Sequence, residues 1–106
     1  MTLSVATIED RLAAIDADLE LRLPLLENAA RGWFIAKRDR EKARAVAFLS
    51  ATGTVAERAA IADRDTATDG KVQEAEFEAL KAVVRVLETR ASIGQSLLRA
   101  YGRAGG

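Results

Sequence analysis

The sequence predicts an all-α protein, and three observations lead to that prediction. Alanine, the best helix former, supplies 22 of the 52 residues in the hydrophobic class. Proline occurs once in 106 residues, so few positions interrupt a helix. Larger apolar residues recur at three- and four-residue spacings, which is the period of a helix face. Because alanine buries little area, we expect abundant helix around a small core, and such chains often complete their burial by self-association.

The composition excludes several classes of chemistry. The chain has no cysteine and no histidine, so it holds no disulfide, no cysteine- or histidine-ligated metal and no Ser-His-Asp relay. It also lacks a glycine-rich phosphate loop. We therefore expect neither enzymatic activity nor a cofactor. No run approaches the ~20 apolar residues that span a bilayer. The first five residues do not resemble a signal peptide, which predicts a cytoplasmic protein.

The first predicted helix covers about residues 7–50. Thr7 is the predicted N-cap, and a four-three-four spacing of apolar residues follows it, typical of a coiled-coil seam. That seam consists of Ile8, Leu12, Ile15 and Leu19. Pro24 lacks a backbone N–H, so we predict that the helix is kinked or interrupted there.

Glycine-containing segments divide the rest of the single predicted domain, 1–106. The turn 51–54 contains Gly53, and Thr54 with Glu57 forms a capping box. Helices follow over about 55–66 and 71–101, with a flexible tail over 102–106.

The last helix carries the most regular apolar stripe, and we interpret it as an oligomer interface. Its members are Phe77, Leu80, Val84, Leu87, Ala91, Gly94, Leu98 and Tyr101. A second stripe with Val83, Val86, Ile93 and Leu97 widens it, so one partner helix would not cover both. Glycine costs ~1 kcal/mol inside a helix, and the simplest explanation of Gly94 is close approach of a neighbouring helix.

Charge alternates in blocks along the chain. Net charge is −4 over 1–30, +4 over 31–50, −4 over 51–80 and +4 over 81–106, which sums to the neutral total. An antiparallel hairpin folded at Gly53 places each block beside its opposite. Such pairing fixes register and direction more than it adds stability, because exposed pairs contribute only ~0.2–1 kcal/mol each. The pattern therefore predicts a long, coiled-coil-like antiparallel hairpin.

A basic run follows Trp33 and Phe34 and is the main candidate binding site. It consists of Lys37, Arg38, Arg40, Lys42 and Arg44. Positive charges and flat rings together are typical of surfaces that bind single-stranded nucleic acid. The other interpretation is a helix face neutralised by the acidic block opposite, with both rings in the core. Neutral net charge favours that second interpretation.

One segment resembles a calcium-binding EF-hand loop. Asp65, Asp69 and Glu76 stand at loop positions one, five and twelve, and Gly70 occupies the turn position. Position three is Ala67, which has no oxygen ligand, and the chain has no second such loop. A capped turn between two helices is the favoured interpretation.

Two segments, Gly53–Arg58 and Leu87–Leu98, resemble small helical bacteriophage proteins similar in layout to UvsY-type recombination mediators. The resemblance covers about Lys37 to Leu98. It implies an all-helical, oligomeric protein of the host cytoplasm that binds single-stranded DNA and helps to load a recombinase. It also implies that the basic run from Lys37 to Arg44 contacts phosphates, with Arg90 and Arg99 as secondary contacts.

Three functional expectations follow. The first is a non-enzymatic phage recombination accessory protein that binds single-stranded DNA, a recombinase or both. The alternative is a helical adaptor or assembly protein that acts through protein–protein contacts. A calcium-responsive helical module ranks third.

Overall fold

The described residues form three helices, and the all-α prediction is confirmed. The computed structural model describes residues 3–105, with side chains described for 3–102. The helices are α1 (Val5–Ser50), α2 (Val55–Asp65) and α3 (Lys71–Gly105), and the described residues include no strand. No helix among them is long and apolar enough to cross a membrane.

The contacts fall into two compact units. Unit 1 combines Met1–Glu27 with Ala79–Gly106, and unit 2 is Asn28–Glu78. Each unit thus contains part of α1 and a later part of the chain. One domain over 1–106 stays a prediction.

The first helix begins earlier than predicted. Thr7 donates its backbone N–H to the Ser4 hydroxyl oxygen at 3.1 Å, and the Ile8 N–H donates to the Ser4 carbonyl at 3.0 Å. Ser4 therefore caps α1, and the predicted start at Thr7 is wrong by two residues. Serine and threonine both cap helices well, and the prediction placed the cap at Thr7, three residues after Ser4.

The predicted interruption at Pro24 is wrong. Helix α1 runs through Pro24 as one segment of 46 residues. The proline removes one backbone hydrogen bond, while leucines on both sides are strong helix formers that keep the remaining turns intact. A kink at this position stays a prediction.

The turn between α1 and α2 has the predicted glycine conformation and the Thr54 half of the predicted capping box. Gly53 has φ +114°, a conformation that favours glycine, and the Thr54 hydroxyl accepts a hydrogen bond from the Glu57 N–H at 3.2 Å. Arg58 adds a contact that the sequence did not indicate. Its Nε donates to the Phe48 carbonyl at 3.1 Å, and its guanidinium lies 4.5 Å from the centroid of the Phe48 ring. The end of α1 is therefore held against the start of α2 inside unit 2.

The core is small in both units. The buried apolar side chains among the described residues are Ile8, Ala29, Ala62, Val84 and Leu87. In unit 2 the buried Thr66 hydroxyl donates to the Ala62 carbonyl at 2.8 Å, which satisfies both groups.

Gly94 allows a close approach in unit 1, as its position in the helix predicted. A Cβ added there would lie 2.7 Å from Cδ2 of Leu12 and 3.2 Å from Cγ, both closer than ordinary contact. The absence of a side chain at Gly94 therefore lets Leu12 of α1 lie against the backbone of α3.

Replacing Gly94 with leucine is expected to lower the free energy of unfolding by about 1–3 kcal/mol, because the added carbons overlap Leu12. Gly102→Leu is the control, since nothing lies within 4 Å of that position. Urea denaturation measures both. Adding Leu12→Ala to Gly94→Leu is expected to recover part of the loss. If Gly94→Leu unfolds like the wild type, the close approach is contradicted.

The C-terminal end of α3 also differs from the prediction. The helical backbone continues to Gly105. The predicted helix end at residue 101 is therefore wrong, and so is the predicted flexible tail over residues 102–105. Residue 106 lies outside the described residues. Glycine weakens a helix by about 1 kcal/mol per residue but does not forbid it.

Candidate nucleic-acid interface

The basic run on α1 forms two stripes instead of one. Lys37, Arg40 and Arg44 are spaced by three and four residues and therefore share a face of the helix. Arg38 and Lys42 are four residues apart and share a different face, about 100° or more away. All five side chains lie in unit 2, and all but the half-buried Arg40 are exposed.

Arg44 is paired with the acidic block, as the charge pattern predicted for this part of the chain. Its Nε lies 2.7 Å from Oδ1 of Asp63 on α2, and both side chains are partly exposed. An exposed pair of this kind contributes at most about 1 kcal/mol to stability. The pair also lowers the positive charge that Arg44 offers to a ligand.

On the other stripe, Arg38 has only a distant acidic partner. Nε of Arg38 lies 3.8 Å from Asp39, at the outer limit of an ion pair. Lys42 is exposed on the same face. Arg38 and Lys42 are therefore open to an anionic ligand.

Trp33 and Phe34 are adjacent in sequence but lie in different environments. Trp33 is half-buried in unit 2, where a Cβ added at Gly70 would lie 3.1 Å from its Cζ3. Phe34 is 76% exposed. The Lys37 ammonium lies 5.5 Å from the centroid of the Trp33 ring and 6.0 Å from that of Phe34. The interpretation of both rings as core is therefore wrong for Phe34.

This arrangement places a flat apolar ring, an ammonium group and a nearby basic stripe on one exposed stretch of helix. Nucleobases stack on exposed aromatic rings, and phosphates attract the neighbouring cations. Cation–π attraction of about 0.5–1 kcal/mol also orients Lys37 beside the rings.

The two secondary candidates on α3 do not share a face. Arg90 and Arg99 are both exposed and both belong to unit 1. They are nine residues apart, which separates them by about 180° around the helix. A single strand cannot contact both from one side of α3.

The calcium candidate does not assemble. The described residues contain no group of three or more carboxylates arranged to hold a metal. Asp65 ends α2 and lies 3.2 Å from Arg64, whereas Glu76 lies inside α3. Thr66 caps the end of α2, and Gly70 has φ +77°. The segment is a capped turn between two helices, and the calcium-responsive module is not supported.

The stripe assigned to an oligomer interface is partly internal. Val84 and Leu87 are buried within unit 1, so they cannot offer a free surface, and the assignment is wrong for these two. The other members are half-buried except Tyr101, which is exposed. Three further exposed apolar residues of α3 in unit 1 belong to the second stripe: Val83, Val86 and Ile93.

Further apolar side chains are exposed on α1, which the sequence pattern did not indicate as a surface. They include Leu21, Leu25, Val46 and Leu49.

The fold and these surfaces define an all-helical protein with exposed basic, aromatic and apolar side chains and a small core. Comparison with protein-family models, with curated proteins and with solved structures finds no match for this chain.

Proposed function

We propose that this protein binds single-stranded DNA without sequence preference, as a non-enzymatic accessory factor in phage recombination in the host cytoplasm. The observation that supports this most directly is the exposed Phe34 ring, 6.0 Å from the Lys37 ammonium, on the same helix as Arg38 and Lys42. A recombinase is the further partner that the resemblance to UvsY-type mediators implies.

The binding is proposed to combine stacking with phosphate contacts. One base stacks on Phe34, while Lys37, Arg38 and Lys42 contact the phosphates on either side. Arg40 contributes from the edge of its stripe, and Arg44 contributes less because Asp63 already pairs with it. Sequence tolerance follows, because every base has a face that can stack.

Binding is expected to weaken with salt. Each phosphate contact on a single strand contributes about −0.7 to the slope of log affinity against log salt. Three or four contacts therefore give a slope between about −2 and −3.

Replacing Phe34 with alanine is expected to weaken binding roughly 5- to 150-fold, because stacking contributes about 1–3 kcal/mol per base. The measurement is the fluorescence anisotropy of a labelled oligothymidine titrated with protein at low and high salt. Leu49→Ala is the matched control, since Leu49 is similarly exposed on α1 but has no ring. Absence of binding at low salt would contradict the function, and equal binding by Phe34→Ala would contradict the site.

A second candidate is a helical adaptor or assembly protein that acts through protein–protein contacts. The exposed apolar residues of both units favour it, because larger exposed apolar patches mark interaction sites. Assembly that is insensitive to salt, without affinity for DNA, would identify this candidate as the function.

For either function we infer an antiparallel, coiled-coil-like pairing of helical segments within each unit. Three contacts of unit 2 support it. These contacts are Gly70 with Trp33, Asp63 with Arg44, and Arg58 with Phe48. Along this series the residue number increases on α1 and decreases on the segment that packs against it, so the two run antiparallel. In unit 1 the contact of Leu12 with Gly94 is compatible with the same direction.

A further inference from the structure

Unit 1 contains an apolar groove between its two helical segments. The groove has a volume of about 440 Å³, and its lining includes Ile8 and Ile15 of α1 and Ile93 and Leu97 of α3. Arg11 of α1 and Arg90 of α3 also line it. A groove of this kind, formed by two helices, fits the side chains of a further helix.

Exposed apolar residues extend the groove toward the other end of the unit. Leu21 follows Ala14, a lining residue, by seven residues, and Val86 precedes Ile93 by seven. Two helical turns return each pair to one face. Leu21 is 72% exposed, Val86 is 51% exposed and Ile93 is 57% exposed. The apolar surface therefore follows both helices well beyond the groove.

We propose that a second copy of this chain occupies the surface, with α1 of each copy against α3 of the other. Charge complementarity favours this occupant. The α1 part of the unit belongs to a block of net charge −4, and the α3 part belongs to a block of net charge +4. Arg85 and Arg90 flank Val86 on α3. A second copy offers them an acidic helix that carries exposed leucines.

Register supports the same pairing. Leu12 lies beside Gly94. Because the two segments run antiparallel, counting forward from Leu12 and backward from Gly94 brings Leu21 level with Arg85 and Val86. A two-fold axis parallel to the helices preserves these levels and places Leu21 of one copy opposite Val86 of the other. Both copies make the same contacts, as a two-fold interface requires.

The surface is large enough for a stable dimer. From Val5 to Leu25 the α1 edge is roughly 30 Å long, and two packed helices are about 20 Å wide. The face therefore covers about 600 Å² before the relief of the side chains is counted. Stable interfaces bury about 600–1,000 Å² per partner. The inference deepens the protein-contact candidate of the proposed function and does not depend on DNA binding.

Sedimentation equilibrium of the full chain tests the proposal. The wild type is expected to form a dimer, and Val86→Glu is expected to weaken it by at least roughly 100-fold, because two charges enter one apolar interface. Val72→Glu is the matched control: this valine is 76% exposed on the same helix but belongs to unit 2. Circular dichroism confirms that each variant folds, and Ile93→Glu provides a second variant at an exposed position.

Disulfide trapping identifies the two faces that meet. The chain has no native cysteine, so every disulfide comes from an introduced residue. A mixture of Leu21→Cys and Val86→Cys chains is expected to form the mixed disulfide faster than a mixture of Leu21→Cys and Val72→Cys chains.

Three results would overturn the proposal. They are a wild type that stays monomeric up to about 100 µM, equal weakening by Val86→Glu and Val72→Glu, and a failure of Leu21→Cys to prefer Val86→Cys. The anisotropy titration repeated on Val86→Glu separates the two proposals. Retained DNA binding by a monomeric variant shows that the DNA site and this surface are independent.

Discussion

Replacing Leu87 with alanine is expected to lower the free energy of unfolding by about 2–4 kcal/mol. Leu87 is one of only five buried apolar side chains among the described residues. Truncation to alanine removes apolar atoms that are buried away from water and leaves a cavity that neighbouring side chains fill only in part. Because a domain of this size has a total stability of about 5–15 kcal/mol, the loss is a large share of it.

Urea denaturation followed by two signals measures this change. Circular dichroism reports all three helices, whereas the fluorescence of Trp33 reports unit 2, which does not contain Leu87. If both signals shift together, the two units unfold as one cooperative domain, as the sequence predicted. If only part of the dichroism shifts, they unfold separately.

Leu49→Ala is the control for this experiment. Leu49 is 74% exposed on α1, so its truncation is expected to change stability by no more than about 0.5 kcal/mol. A Leu87→Ala variant as stable as Leu49→Ala would contradict the placement of Leu87 in the core.

Local chemistry in the sequence predicted the helices and their main turn. The positive φ of Gly53 and the hydrogen bond from the Glu57 N–H to Thr54 depend on residues within four positions of one another, so the sequence contains all that is needed. The turn at Gly70 was likewise predicted from neighbouring residues. Only its role, as a calcium loop or as a connection between two helices, was left open.

The burial of the apolar stripe on α3 could be predicted, but its partner could not. Heptad spacing shows that Val84 and Leu87 face something apolar. It does not distinguish a segment of the same chain from a second copy, because both present the same chemistry. The structure assigns these two residues to the chain's own core and leaves Val86 exposed on the adjacent face.

The candidate binding site shows the same limit. Trp33 and Phe34 are neighbours, and successive helical residues point about 100° apart. Which of the two rings is exposed depends on the direction from which the rest of unit 2 packs, and Gly70 lies on the Trp33 side. Gly70 and Trp33 are more than thirty residues apart in the sequence, so no local pattern predicts their contact.

Replacing Pro24 with alanine is expected to raise the free energy of unfolding by roughly 1–3 kcal/mol, because proline is about 3 kcal/mol less favourable than alanine inside a helix. Pro24 is exposed within an uninterrupted α1, so alanine restores a backbone N–H without removing a core contact. Some of the gain is offset because proline also restricts the unfolded chain.

Pro24→Gly separates the two effects of this substitution. Glycine also restores the N–H, but it is about 1 kcal/mol less favourable than alanine in a helix. The expected order of stability by urea denaturation is therefore alanine, then glycine, then the native proline. A destabilised Pro24→Ala variant would mean that α1 requires the geometry that proline imposes, and the predicted kink would then be a structural requirement of the fold. Equal gains for both variants would instead show that the restored N–H accounts for the whole effect.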